Sequence, residues 1–350
     1  AVCDSFSSLL WDIEYYKCGA FKVYIAASPR NIEIFQTGRI VGRDDDREHF
    51  GLIESVELET DAEDGDYLII KGRFLMCLLE RRIIYPTFNF TKFVSYSQIV
   101  MNVVQYNACT TGIRKLPGLV VGCSSGTCWN AETKLQVSYD NLMEWVYTIC
   151  EKIGGTANIR LSKTDNEQYE MIFELLQGTD RSILQEVNPH IIFSDRYNNL
   201  LSFTYFMDTS VKKNYAYVLG KGEGEKRKRT TYFEGTEPSS LDRYEMYVDA
   251  KDILDEEQEN GKTKPLSEEE YSELLKEKGK QNLVPITMKS ESQIAVQSTQ
   301  FQYGVDYFVG DFVTAEHHRF GIRQNKIQLV GMIESFDRNG RNLTPTFKEV

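Results

Sequence analysis

The stretch Gly122-Cys123-Ser124-Ser125-Gly126 has the G-x-S-x-G spacing of a hydrolase nucleophile turn. That chemistry needs a strand before the Ser and a helix after it, which together expose the hydroxyl on a strained turn, and a base within hydrogen-bond reach. Leu119-Val120-Val121 can supply the strand, but Thr127-Cys128-Trp129-Asn130 does not begin a convincing helix. The base would have to be His190 or one of the pair His317-His318. A Gly/Ser loop between two strands explains the same residues, so Ser124 is expected on a loop or hairpin with no His or Asp arranged behind it.

Gly220-Lys221-Gly222-Glu223-Gly224-Glu225 is glycine-rich in the manner of a phosphate cradle. A dinucleotide loop opens a helix whose amides meet the pyrophosphate. Here Lys226 to Arg229 and then Thr230-Thr231-Tyr232-Phe233 follow, which read as a strand. Two Glu side chains would repel phosphate, and the Gly-Lys-Ser/Thr of a Walker A loop is missing. The pattern predicts a mobile hairpin loop. Cys123 and Cys128 have no second Cys pair and no His at finger spacing, which speaks against structural zinc. Asp44-Asp45-Asp46 lacks the glycine and distal Glu of a calcium loop and reads as a solvated turn. Lys226-Arg227-Lys228-Arg229 is a short basic run in a solvated loop, able to touch a partner. With 52 acidic residues, carboxylate pairs occur everywhere and identify no sugar-cleaving site. No catalytic, cofactor-binding or metal-ligating residue is assigned, and no cofactor is expected.

The elements that would have to position such groups come from a chain of 350 residues, long enough for two or three domains. Its net charge of −12 argues against tight nucleic-acid binding, because there is no surplus of cations to neutralise phosphates. Its 20 Tyr and 19 Phe favour pleated surfaces and subunit contacts. No run is apolar for long enough to cross a bilayer, and no signal peptide is read at the N-terminus, so no membrane anchor is expected. The seven Cys are an odd number with none after Cys150, which suggests reduced thiols in a protein made in a cytoplasm.

Periodicity divides the chain into three. In the first part, Ser28-Pro29 starts a short helix with Ile32 and Phe35 on its apolar face and Gly38 at its end. Val56 to Glu59 alternates as a strand, Asp64-Gly65 turns, and Tyr67 to Lys71 returns, with a short helix over Phe74 to Arg82. In the middle, Ser97 to Asn107 and Asp140 to Ile153 read as helices. The second carries Leu142, Trp145, Val146, Ile149 and Ile153 on one face. In the last part, Leu201 to Phe206, Asn214 to Leu219, Ile327 to Phe336 and Leu343 to Phe347 read as strands. Asp255 to Pro265 reads as a mobile loop, and Ser267 to Glu270 is a capping box opening a helix.

Two stretches match one another. Gly51-Leu52-Ile53-Glu54-Ser55-Val56-Glu57 resembles Gly331-Met332-Ile333-Glu334-Ser335-Phe336-Asp337, and upstream Gly38-Arg39-Ile40-Val41 resembles Gly310-Asp311-Phe312-Val313. The order and the strand-turn-strand context agree, with Asn339-Gly340 as the second turn. Either the chain holds a duplication, or two unrelated hairpins share common residues. A duplication predicts that residues 38–71 and 310–347 adopt the same local fold.

The ordered series of motifs resembles the siphovirus ReqiPepy-type tail protein family, which is related to the baseplate hubs of contractile tails. It includes Asp4-Ser5-Phe6-Ser7-Ser8-Leu9-Leu10-Trp11, Gly51 to Ser55, Gly72-Arg73-Phe74 with Leu78 to Ile83, Val137 to Leu142 and Asn198 to Ser202. Asn214 to Val218, Tyr303 to Tyr307 and Gly310 to Val313 complete it. The resemblance implies a mainly β fold with an α+β insertion, in which two similar β-barrel-like domains flank a helical module. The expected division is residues 1–95, then a middle module over 96–190, then 191–350. The last part would carry a charged loop and a helix insertion at 255–283, and some strands of 191–240 would be available to complete the first domain.

The resemblance further implies a structural protein of a phage or prophage tail, not an enzyme. It would act as a hub ring at the tip of the tail tube, built as a homotrimer with pseudo-sixfold symmetry. Its partners would be copies of itself and other tail proteins (distal tail or tube, tape measure, tip), with DNA only as passing cargo. It would reside in the virion tail after synthesis in the host bacterial cytoplasm. The competing reading is a tail-associated hydrolase, either a serine hydrolase on Ser124 or a peptidoglycan-cleaving enzyme.

Overall fold

The computed structural model describes residues 2–3, 5–61, 65–110, 112–164, 166, 168–259, 262–283, 287–294 and 300–349. The chain opens with the antiparallel strands β1 (Phe6–Glu14) and β2 (Ala20–Ala26), whose alternation sends Trp11, Ile13, Phe21 and Ile25 into the core. Helix α1 (Pro29–Ile34) follows. Ser28 caps it by accepting from the Asn31 N–H at 3.1 Å, and of its expected apolar face Phe35 is buried while Ile32 is exposed. Strands β3 (Ile40–Gly42), β4 (Phe50–Asp61) and β5 (Gly65–Phe74) make an antiparallel meander. Asp64 of the expected turn lies outside the described residues. The short helix expected after β5 is a 3-10 turn over Leu75–Arg81 with five consecutive buried residues.

The middle of the chain is an α+β layer: β6 (Phe88–Ser95), α2 (Tyr96–Val104), β7 (Leu119–Ser124), β8 (Glu132–Val137), α3 (Leu142–Ile153), β9 (Thr156–Lys163) and β10 (Tyr169–Leu176). The local chemistry of α3 sets its limits. The Asn141 side chain accepts from the Met143 and Glu144 N–H groups at 3.1 and 3.3 Å, and Gly154 closes the helix in the left-handed region. Its apolar face packs with α2 and the 3-10 turn over the sheet β7–β10–β9, burying Trp129, Val146, Ile149 and Phe173 in one core.

The C-terminal part contains β11 (Ile192–Ser194), β12 (Leu200–Asp208), β13 (Tyr215–Leu219), β14 (Arg229–Tyr232), β15 (Glu245–Asp249), β16 (Glu256–Glu259), β17 (Lys262–Pro265), α4 (Glu268–Asn282), β18 (Thr287–Ile294), β19 (Phe312–His317), β20 (Ile322–Asp337) and β21 (Gly340–Glu349). The capping box of α4 forms as the sequence predicts: Ser267 Oγ accepts from Glu270 N–H at 3.2 Å, and Glu270 accepts from Ser267 N–H at 2.9 Å. Tyr271, Leu274 and Leu275 are buried against β13 and β15. The segment 255–265 is not the loop its composition predicts; it contains the ribbon β16–β17. Leu266 N–H donates to Asp255 O at 2.8 Å, and Ile253 and Leu266 are buried in the α4 core, so the base of the ribbon is fixed by contacts its own polar residues do not reveal.

One 11-stranded sheet joins the two ends of the chain in the order β12-β18-β21-β20-β1-β2-β5-β4-β3, with β19 and β11 alongside β20. The protein is mainly β, and among the described residues no sheet closes into a barrel. Strands of the 191–240 region pair elsewhere than with β1–β5: β11 with β19, β12 with β18, and β13 with β14 and β15. A tight glycine position holds the N-terminal half together. A Cβ on Gly72 would lie 1.9 Å from Leu52 O and 2.7 Å from the Phe21 ring, so only glycine lets β5, β4 and that ring close.

Both matched stretches are strand-turn-strand units, and they share a backbone signature. Gly38 N–H donates to Ile53 O (2.8 Å), and Ile53 N–H donates to Arg39 O (2.9 Å). Gly310 N–H donates to Leu329 O (2.7 Å), and Leu329 N–H donates to Asp311 O (2.9 Å). Both glycines have positive φ, 85° and 103°. The hydrogen bonds therefore equate Ile53 with Leu329, whereas the residue match equates Ile53 with Ile333. The two halves of the match are displaced by four residues, and a bulge between Leu329 and Gly331 shifts the inward face, so that Leu329 and Met332 are in the core and Ile333 is not.

Candidate functional site

Ser124 ends β7, which runs parallel to β10, and a 3-10 turn over Thr127–Asn130 follows it. It is an exposed residue on an open groove of about 550 Å³ beside α2, together with Ser97, Gln98, Met101 and Asn102. Among the described residues no charged side chain lines this groove, so none of them could take a proton from the hydroxyl.

The candidate bases make their contacts elsewhere. Nε2 of His190 lies 2.6 Å from Gln185 O. Nδ1 of His317 lies 3.4 Å from Asp195, between the rings of Phe203 and Phe320, while the backbone N–H of His318 donates to the same carboxylate at 2.8 Å. The structure does not bring Ser124 together with any of them by a hydrogen bond. Cys123 reaches only Glu174, at 3.6 Å, and burial pushes the Cys128 thiol up to about 11. Among the described residues no cluster of His, Cys, Asp and Glu is placed to hold a metal ion.

The glycine-rich loop joins the antiparallel strands β13 and β14, as its sequence predicts. It is pinned from inside. Arg227 donates to Gly220 O (2.7 Å) and Leu219 O (2.6 Å) and pairs with Asp249. Tyr271 OH accepts from Lys221 N–H at 2.9 Å and donates to Ile253 O at 3.1 Å, and Lys221 pairs with Asp255 at 2.7 Å. The Lys221 amide and ammonium and the Arg227 guanidinium are thus spent on the protein itself. The basic run is in part a structural clamp, not a free solvated loop.

The aspartate triplet is a correction of the same kind. Asp46 is not solvated. It accepts from Trp11 Nε1 (2.9 Å) and from the backbone N–H groups of Glu48 and His49 (3.0 and 3.1 Å), and it lies 2.9 Å from His49 Nδ1. Burial opposes its charge, but His49 and the Trp11 hydrogen bond outweigh it and hold the carboxyl at about 2. No local pattern could have announced this, because Trp11 is 35 positions away.

A second polar cluster joins the two halves. Glu334, buried on β20, accepts from Arg341 Nη2 at 2.6 Å and lies 3.3 Å from Arg43, whose guanidinium also pairs with Asp45 at 2.6 Å and stacks 4.6 Å over Phe336. Glu54, its counterpart in the residue match, pairs with Arg73 of β5 at 2.8 Å. Each hairpin thus carries a Glu–Arg bridge between its two strands. Such bridges hold strands in register.

A family model described as siphovirus ReqiPepy6 Gp37-like protein matches residues 1–347. The chain belongs to this family. The fold of this Gp37-like protein is similar to that of solved phage tail proteins. The tail protein from Neisseria meningitidis MC58 superposes with a TM-score of 0.57 at 13% identity, covering 99% of this chain and 92% of that one. The 43 kDa tail protein of prophage MuSo2 from Shewanella oneidensis gives 0.57 at 12%, covering 99% and 95%. The prophage tail protein gp18 from Listeria monocytogenes EGD-e gives 0.56 at 11%, covering 100% and 91%. Among curated proteins none matches the sequence. No helix among the described residues is long and apolar enough to cross a membrane.

Proposed function

We propose that this Gp37-like protein is a structural hub at the tip of a phage or prophage tail tube, located in the virion tail after synthesis in the host bacterial cytoplasm. The observation that carries this reading is the sheet in which β1 lies between two similar hairpin units drawn from opposite ends of the chain. Two similar units per subunit let three copies present six quasi-equivalent positions to a sixfold tube. On this reading the units expected as barrel-like, within 1–95 and 191–350, alternate round a homotrimeric ring. The module 96–190 packs beside them. Distal tail, tape-measure and tip proteins are neighbours, and DNA is only cargo. The groove at Ser124 favours a non-enzymatic role, since it offers a hydroxyl and no base. No cofactor is called for.

The test is electron microscopy of assembled tails carrying a label on this chain. Three copies in a ring at the tip are expected. Two or four copies, or label spread along the tube or on the capsid, overturn the hub.

A further inference from the structure

We propose that the acidic hairpin β4–β5 of one copy docks on an apolar, basic-rimmed patch around Arg114 of a second copy. The proposal rests on the ring reading above and names one of its contacts.

The hairpin lies at the margin of the large sheet: β2 pairs with β5 from Tyr67 to Arg73, which leaves the outer edge of β4 as its free side. Its ladder runs unbroken from Ser55↔Lys71 to Asp61↔Gly65. That is roughly 20 Å at about 3.3 Å per residue. Glu57, Glu59 and Asp66 are exposed along it, and so is Leu58 at 57%. Among the described residues one cation pairs with them, Lys71, 3.3 Å from Glu57. Strand β3 covers only Phe50–Leu52 of the outer edge of β4. The corresponding strand β20 has that stretch covered by β1. The outer edge of β4 beyond β3 is therefore bare, with an acidic surface and one apolar side chain.

The patch has the opposite character. Arg114 donates to Tyr85 O at 3.0 Å and to Ile83 O at 2.5 Å, and Arg82 Nε donates to Arg114 O at 2.7 Å. These bonds fix two backbone segments side by side. Above them Ile83, Tyr85, Ile113 and Tyr139 are all more than half exposed, with the two tyrosine rings 6.1 Å apart. Apolar side chains gathered in this way mark contact surfaces.

The rim is positive. Among the described residues, Arg81, Arg82, Arg114 and Lys115 form no ion pair with a carboxylate. Burial lowers the pKa of Arg82, and the like charges of Arg114 and Arg81 lower it further. The neighbouring acids are paired with other cations: Arg73 holds Glu80 at 2.7 Å and Glu54, which also feels Arg81, at 2.8 Å, and Asp140 feels Lys278 and Asp252. In a chain with a net charge of −12, cations without an ion-pair partner beside bare tyrosines complement the chain's own acidic hairpin. Pairing of β5 with β2 fixes the hairpin in the sheet and keeps it from folding over onto the patch of its own copy. The contact therefore joins different surfaces of successive copies and closes by rotation into a ring.

The test uses the full chain with the photo-crosslinking residue p-benzoylphenylalanine replacing Leu58, in low salt at high protein concentration. Cross-links to a second copy are expected within residues 82–85 and 113–115 or at Tyr139. They should fall about tenfold with Arg81→Glu plus Lys115→Glu, two exposed side chains that carry no part of the fold. They should recover when Glu57→Lys and Glu59→Lys are added to the same chain. Cross-links that map elsewhere, insensitivity to both charge reversals, or a chain giving none between copies overturn the proposal. A tip ring whose Leu58 cross-links map elsewhere overturns this contact and leaves the hub standing. A correctly mapped cross-link in a protein absent from the tip does the reverse.

Discussion

Arg43 and Glu334 are 291 positions apart, yet the guanidinium of one lies 3.3 Å from the carboxylate of the other. Glu334 is 3% exposed, and Arg341 completes its coordination. Replacing it by Ala would leave the largely buried Arg43 with only Asp45 for compensation. Removing one partner of a buried pair is costly, so Glu334→Ala should lower stability by about 3 kcal/mol. Glu54→Ala, in the exposed counterpart bridge, should cost less than about 1 kcal/mol. Equilibrium urea unfolding of the two variants checks the contrast, and equal losses would show that the buried bridge has no special weight.

The Asp46 carboxyl should shape the acid limb of stability. Its folded value of about 2 lies below its value in the unfolded chain, about 3.9, so ionised Asp46 favours the folded state. That contribution is complete above about pH 4 and fades as pH falls through about 2. Asp46→Asn should cost roughly 2 kcal/mol at neutral pH. It should also flatten the stability profile between pH 4 and pH 2. A variant with an unchanged acid limb would refute the assignment.

The two positive-φ glycines make a paired experiment. A Cβ on Gly38 meets nothing within 4 Å, so Gly38→Ala carries only backbone strain, about 1 kcal/mol. A Cβ on Gly310 would lie 2.3 Å from the Tyr15 ring, whose hydroxyl accepts from Gly178 N–H at 3.0 Å and donates to Gly154 O at 3.2 Å. Gly310→Ala must displace that ring as well as strain the backbone, so a loss above about 3 kcal/mol is expected. Thermal unfolding of both variants decides it; similar melting temperatures would count against the role given to Tyr15.

Ser124 should be chemically ordinary. A serine-directed fluorophosphonate should leave it unlabelled under conditions that label a hydrolase, and Ser124→Ala should shift stability by less than about 0.5 kcal/mol. Stoichiometric labelling at Ser124 would revive the hydrolase reading.

Local sequence determined the elements governed by near neighbours. Asn141 and Gly154 bound α3 because caps act over two to four residues. Ser267 and Glu270 start α4 for the same reason. The hairpins within 51–74 and 322–349 follow from period-two alternation and turn residues. The family was also legible, because an ordered series of short motifs survives where no single one is specific. The tertiary structure alone decided the rest. Strand pairing at long separation depends on bulges and on partners hundreds of residues away. That is why residue identity aligned Ile53 with Ile333 while the hydrogen bonds align it with Leu329. It is also why β1 could not be placed between β2 and β20 from the sequence. Asp46 and Arg227 looked solvated because charge patterns report composition. Their partners, Trp11 and Asp249, come beside them only when separate strands are packed, and it is that packing which turns a surface charge into a structural one.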